Sequence, residues 1–168
     1  ATLVGAVLAK TGEATVTANG TVTTSGTVQA GTKVSLTSQS KSVTAVETVT
    51  AGNGDVVVSG ATGIEMQKAV QASANVTLQS TNGNVTAGDS IKATAGSVTA
   101  STGTGNVSVQ GVTAKDNISL TTKQGAITAN GALNATDEVT LSATTSGAIR
   151  VNDTITGKTI TVHTGSGN

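Results

Sequence analysis

The chain has 168 residues with no aromatic residue, no proline and no cysteine, and its nine basic and nine acidic residues cancel to a net charge of zero. A core organised around aromatic side chains is therefore excluded, and any apolar interior must be assembled from many small units, mostly Val, Ile, Leu and Ala. The charges stand singly, so there is no basic patch to release counterions from nucleic acid and no ring to stack on a base, which excludes a nucleic-acid partner.

In chain order, Ala1 to Ala9 is apolar but too short to span a bilayer, with no basic region before it and no initiator Met. It reads as part of the fold, cut from something longer. From there the chain is a repeat, which is the first thing to seek because missing it miscalls the entire architecture. Triplets with apolar first and third residues begin at Val34, Val56, Val76, Val98, Ile118, Val139 and Ile160, spaced 22, 20, 22, 20, 21 and 21 residues apart. A second series begins at Val22, Val43, Ile64, Val85, Val107, Ile127 and Ile149. The third runs Val7-Leu8-Ala9, Val28-Gln29-Ala30, Val49-Thr50-Ala51, Val70-Gln71-Ala72, Ile91-Lys92-Ala93, Val112-Thr113-Ala114, Leu133-Asn134-Ala135 and Ile155-Thr156-Gly157.

Each unit thus holds three short strands whose alternation marks one buried face. The connections are too short for crossover helices, so the strands bury that face by stacking successive turns. The expected fold is all-β: a right-handed parallel β-helix with about 21 residues per turn and about eight turns. It forms a single unit over residues 1–168, uncapped at both ends and roughly 35 to 40 Å long at about 4.8 Å per stacked strand. In the third series a large apolar residue is always followed two places later by Ala or Gly, which predicts an inward column at a tight corner. Gly20, Gly83, Gly105, Gly125 and Gly147 each precede the second strand by two residues, a place suited to left-handed backbone. Asn84 with Asn106, in adjacent units, and Asn75 with Asn117, two units apart, occupy matching positions and predict turn asparagines, some of them stacked. The coil from Ser59 to Gln71, with Glu65, Met66 and Gln67 in its second strand, is the least regular and is expected to carry a bulge or looser packing.

The chemistry-bearing residues do not assemble into a catalytic, cofactor-binding or metal-ligating set. Two carboxyls that work on a glycoside must lie within about 5 to 10 Å. Asp89 and Asp153 share a turn type but stand three units apart, roughly 14 Å, while Asp137 and Glu138 read as a solvated turn. Arg150, between Ile149 and Val151, points to solvent. His163 falls on the outer face with neither a Cys nor a second His to join it as a metal ligand. Six Asn-x-Ser/Thr strings, at Asn19, Asn75, Asn84, Asn106, Asn117 and Asn134, arise mainly because each strand start needs a turn residue, an inward apolar residue and an outward hydroxyl.

The strings Gly83-Asn84-Val85-Thr86-Ala87 and Gly125-Ala126-Ile127-Thr128-Ala129, repeated without aromatics over essentially the entire chain, resemble the central repeats of filamentous-haemagglutinin-like exoproteins. That resemblance implies a secreted shaft at the bacterial surface, an outer-membrane transporter as export partner, and adhesive or toxic function elsewhere in the parent protein. The absence of cysteine suits export as an unfolded chain. The function expected is a structural rod segment of a surface adhesin with no enzymatic activity, whose partners are further turns or copies of the same protein end to end. A carbohydrate-binding or self-associating face, with host or bacterial surface glycans as partners, and a polysaccharide-active enzyme are the alternative readings.

Overall fold

The computed structural model describes residues 1–166. It is a three-sided parallel β-solenoid: three sheets of eight strands, each strand paired with its counterparts one turn before and after. Sheet A takes the second series, sheet B the third and sheet C the first. Turn 2 shows the plan, with Val22–Thr24 in A, Val28–Ala30 in B and Val34–Ser38 in C.

Alternation decides which side chains enter the core. In sheet B the pairings Ala51 to Ala72, Ala72 to Ala93, Ala93 to Ala114 and Ala114 to Ala135 make one continuous column. These alanines are only 1 to 8 % exposed, so the predicted column does face inward. Leu36, Leu78, Leu120 and Leu141 are fully buried in sheet C, and each such aliphatic contributes about 1.5 to 3 kcal/mol relative to exposure. The outward residues between them are mostly Thr and Ser, which suit a strand and keep its outer face wet.

Two expectations are corrected. The coil containing Glu65, Met66 and Gln67 has no bulge: Ile64–Met66 pairs residue for residue with Val43–Ala45 and Val85–Ala87, and Met66 is buried. Its connection to sheet A is one residue shorter than in most turns, and the chain absorbs that in the loop. The register shift lies instead in sheet C, where Thr122 pairs with Ala143 but Gln124 with Ser146. One extra residue sits in the later strand. The second correction concerns glycine. Positive φ occurs at Gly63, Gly83, Gly105, Gly125 and Gly147 but not at Gly20, where a side chain would meet open space.

For Gly83, Gly105, Gly125 and Gly147 the reason lies in sheet C, whereas Gly63 reaches a φ of 146° after a strand that stops at the corner. In turns 1 to 3 its strands, Ala14–Ala18, Val34–Ser38 and Val56–Gly60, stop at the corner. In turns 4 to 7 they run on, as Val76–Asn82, Val98–Thr104, Ile118–Gln124 and Glu138–Ser146. A strand that overshoots the corner must double back to enter sheet A, and glycine makes that reversal: φ is 110° at Gly83 and 125° at Gly105.

Candidate functional site

Threonine and serine at the C-to-A corner point inward and close the corner. Ser38, Ser80, Thr102 and Thr122 are the fifth residues of their strands and are buried. The Ser38 hydroxyl donates to the Gly20 carbonyl at 2.8 Å, Thr102 to Gly83 at 2.7 Å, and Thr122 to Gly105 at 2.8 Å. Each satisfies a carbonyl of the preceding turn's corner, which the ladder cannot reach.

Two side-chain staircases do the same for backbone amides. Asp55 Oδ1 accepts from Asn75 N at 2.9 Å, Asn75 Oδ1 from Ser97 N at 2.9 Å, Ser97 Oγ from Asn117 N at 3.3 Å, and Asn117 Oδ1 from Glu138 N at 3.0 Å. The second joins Asn84 Oδ1 to Asn106 N at 2.9 Å and Asn106 Oδ1 to Ala126 N at 2.8 Å. Both predicted asparagine positions are therefore structural. Asp55 and Ser97 fill the steps where asparagine is missing.

The other singled-out residues remain dispersed. The carboxylates of Asp89 and Asp153 accept the amides of Ser90 and Thr154, which spends them on their own turns. Glu138 accepts from Thr140 at 2.8 Å. Arg150 is exposed and donates to Asn152. His163 is exposed on sheet C opposite Ser142. Among the described residues no three His, Cys, Asp or Glu side chains come together as a metal site.

The feature with the shape of a binding site is a groove of about 570 Å³ where sheet C overshoots the corner. It spans four turns and is lined by Ser, Thr, Gln, Asn, one Gly and one Lys. Gly103 lies between Thr81 and Lys123 in the ladder and leaves a notch. A Cβ there would run into the Thr81 carbonyl, so the close approach of the stacked backbones requires glycine. Asn82 Oδ1 accepts from Thr104 Oγ1 at 3.3 Å along the wall. The alternating pattern did not disclose this groove, because it depends on the strands continuing straight past the corner. No protein-family model, curated protein or solved structure matches the chain significantly.

Proposed function

We propose that this chain is a segment of the rod-like shaft of a large secreted bacterial surface adhesin. The observation that supports this reading best is that all three sheets run through eight turns around one aliphatic core. Stacked parallel strands about 4.8 Å apart make length the direct product of turn number, and each turn is held by its neighbours. A solenoid of this kind supplies reach and stiffness. The resemblance to filamentous-haemagglutinin-like repeats supports secretion by a partner transporter. Antibody against the chain should label the outside of intact source cells; exclusively cytoplasmic labelling would overturn the secreted part. Deleting the segment from its parent should shorten the projecting rod while leaving binding of soluble ligand unchanged, and loss of that binding would contradict a spacer role.

A second reading, end-to-end association, rests on the two outermost turns. In the first turn the inward Val7 and Ala9 are only half-buried where Val28 and Ala30, one turn on, are buried, and in the last Ile160 and Val162 are 48 and 54 % exposed. Ile160 and Val162 hold places that are fully buried one turn earlier, in Val139 and Leu141. An open parallel edge with apolar side chains favours a further turn, from the same chain or another copy. Sedimentation against concentration tests it, and a strict monomer with fully protected terminal strands would rule it out.

A further inference from the structure

We infer that Asn19 and Asn53 are sites of spontaneous deamidation in the folded chain, while the same Asn-Gly dipeptide at Asn82 and Asn130 is protected by the solenoid. This goes beyond the shaft reading and does not depend on it. The reaction uses the backbone nitrogen of the following residue as nucleophile, and glycine leaves that nitrogen open to approach because it carries no Cβ. Asn-Gly occurs four times, at residues 19–20, 53–54, 82–83 and 130–131, and all four asparagines are exposed. Access of solvent therefore does not separate them. The hydrogen bond on the glycine nitrogen does.

Gly83 N donates to the Thr104 carbonyl and Gly131 N to the Gln110 carbonyl. The side chains before them are engaged as well: Asn82 Oδ1 accepts from Thr104 Oγ1 at 3.3 Å and Asn130 Oδ1 from Asn152 Nδ2 at 3.0 Å. To react, either site must first break both bonds and leave its neighbouring turn. At Asn19-Gly20 the hydrogen bonds go to the two carbonyls, from Ser40 and Ser38. At Asn53-Gly54 they use only Asn53 N, which donates to the Gly31 carbonyl, and the Gly54 carbonyl, which accepts from Ala74 N. Among the described residues, the asparagine side chain and the glycine nitrogen thus have no partner at these two sites. Asn19 and Asn82 hold the same place in the repeat, three residues before Val22 and Val85. Asn82 differs because its strand runs past the corner and pairs it with Thr104.

The chemistry needs only water and a base. The base removes the glycine N–H proton, the nitrogen attacks the asparagine Cγ, and the Cγ–Nδ2 bond breaks as ammonia leaves with a proton from water. Water then opens the cyclic imide at either carbonyl, giving aspartate or isoaspartate with no change of oxidation state. Each event adds a negative charge to a chain whose formal net charge is zero.

The test is peptide mapping by mass spectrometry of the folded chain held in warm, mildly alkaline buffer, beside a sample held in denaturant that unfolds it. Cleavage after Lys and Arg puts the four sites on separate peptides, 11–33, 42–68, 69–92 and 124–150. In the folded chain Asn19 and Asn53 should convert about tenfold faster than Asn82 and Asn130, or more, because the protected pair must open locally first. In denaturant the four rates should converge. Gly20→Ala, whose Cβ meets nothing within 4 Å, should keep the fold, slow Asn19 by shielding the nitrogen, and leave Asn53 at the parent rate. Equal rates at the four sites of the folded chain overturn the proposal, as does an Asn19 or Asn53 that converts only in denaturant. A ranking that persists unchanged in denaturant also overturns it, because the difference would then lie in local sequence and not in the fold. The shaft reading would stand in every case.

Discussion

The same corner is built in two ways within one chain. In turns 1 and 2 the sheet C strand ends where the corner begins, and the chain crosses to sheet A through Asn19-Gly20 or Ser40-Lys41-Ser42 without any positive φ. In turns 4 to 7 the strand overshoots and returns through a glycine whose φ lies between 110° and 142°. Ser38 in the early corner and Thr102 in the later one both give their hydroxyls to a glycine carbonyl, so the polar closure is shared. The backbone path alone differs. The overshoot, two residues in turns 4 to 6 and three in turn 7, goes with a positive-φ glycine at every such corner and opens the groove beside it.

The widest gap between the two constructions should appear on adding a methyl group to each corner glycine. Gly105→Ala places a Cβ 2.5 Å from the Gly83 carbonyl carbon and forces alanine to positive φ, so a loss of about 3 kcal/mol is expected. Gly20→Ala meets nothing within 4 Å and should change stability by less than about 0.5 kcal/mol. Denaturant unfolding with amide exchange in turns 2 and 5 reads both. Equal effects at the two sites would remove the distinction.

A smaller loss is expected where the constraint is volume and not backbone path. Ala93 is buried in sheet B with Ala72 and Ala114 on either side, so Ala93→Leu should overpack the column and cost about 1 to 3 kcal/mol. Its neighbour Lys92 faces solvent, and Lys92→Leu should do little. An unchanged melting midpoint for the Ala93 variant would mean that inward and outward faces are reversed.

Smaller still are the hydroxyl effects, which carry opposite signs at two corners. Thr102→Val deprives the Gly83 carbonyl of its 2.7 Å donor and should cost about 1 kcal/mol, whereas Thr102→Ser should stay near the parent value. Thr24 is also fully buried, but its hydroxyl has no hydrogen-bond partner, and it stands where Ala45 occupies the next turn. Thr24→Val removes an unsatisfied polar group at nearly constant volume, so a gain of about 1 kcal/mol is expected by calorimetry. A loss there would show that the hydroxyl has a partner after all.

Some of what distinguishes the corners was present in the spacing of residues. Ser38, Ser80, Thr102 and Thr122 each follow an anchor valine or isoleucine by four places, which by strand parity puts them inside. They are easily taken for the soluble exterior because hydroxyl residues usually are. The extra residue between Val139 and Ile149, against the usual nine-residue step, likewise marks the register shift more directly than the unusual side chains Glu65 and Met66 mark an irregular coil.

The amino-acid order by itself determined the repeat, the three sheets, the buried aliphatics and the alanine column, because a period of two reports which face of a strand is buried and the longer period reports what it stacks on. Gly20 and Gly105, by contrast, occupy the same place in the repeat and look alike. Only the tertiary structure decided that one is replaceable and the other is not, because the demand on Gly105 comes from the backbone of Gly83 one turn away and from how far the preceding strand runs past the corner. The groove has the same origin: its lining residues are ordinary outward Thr, Ser and Gln until four overshooting strands are stacked side by side.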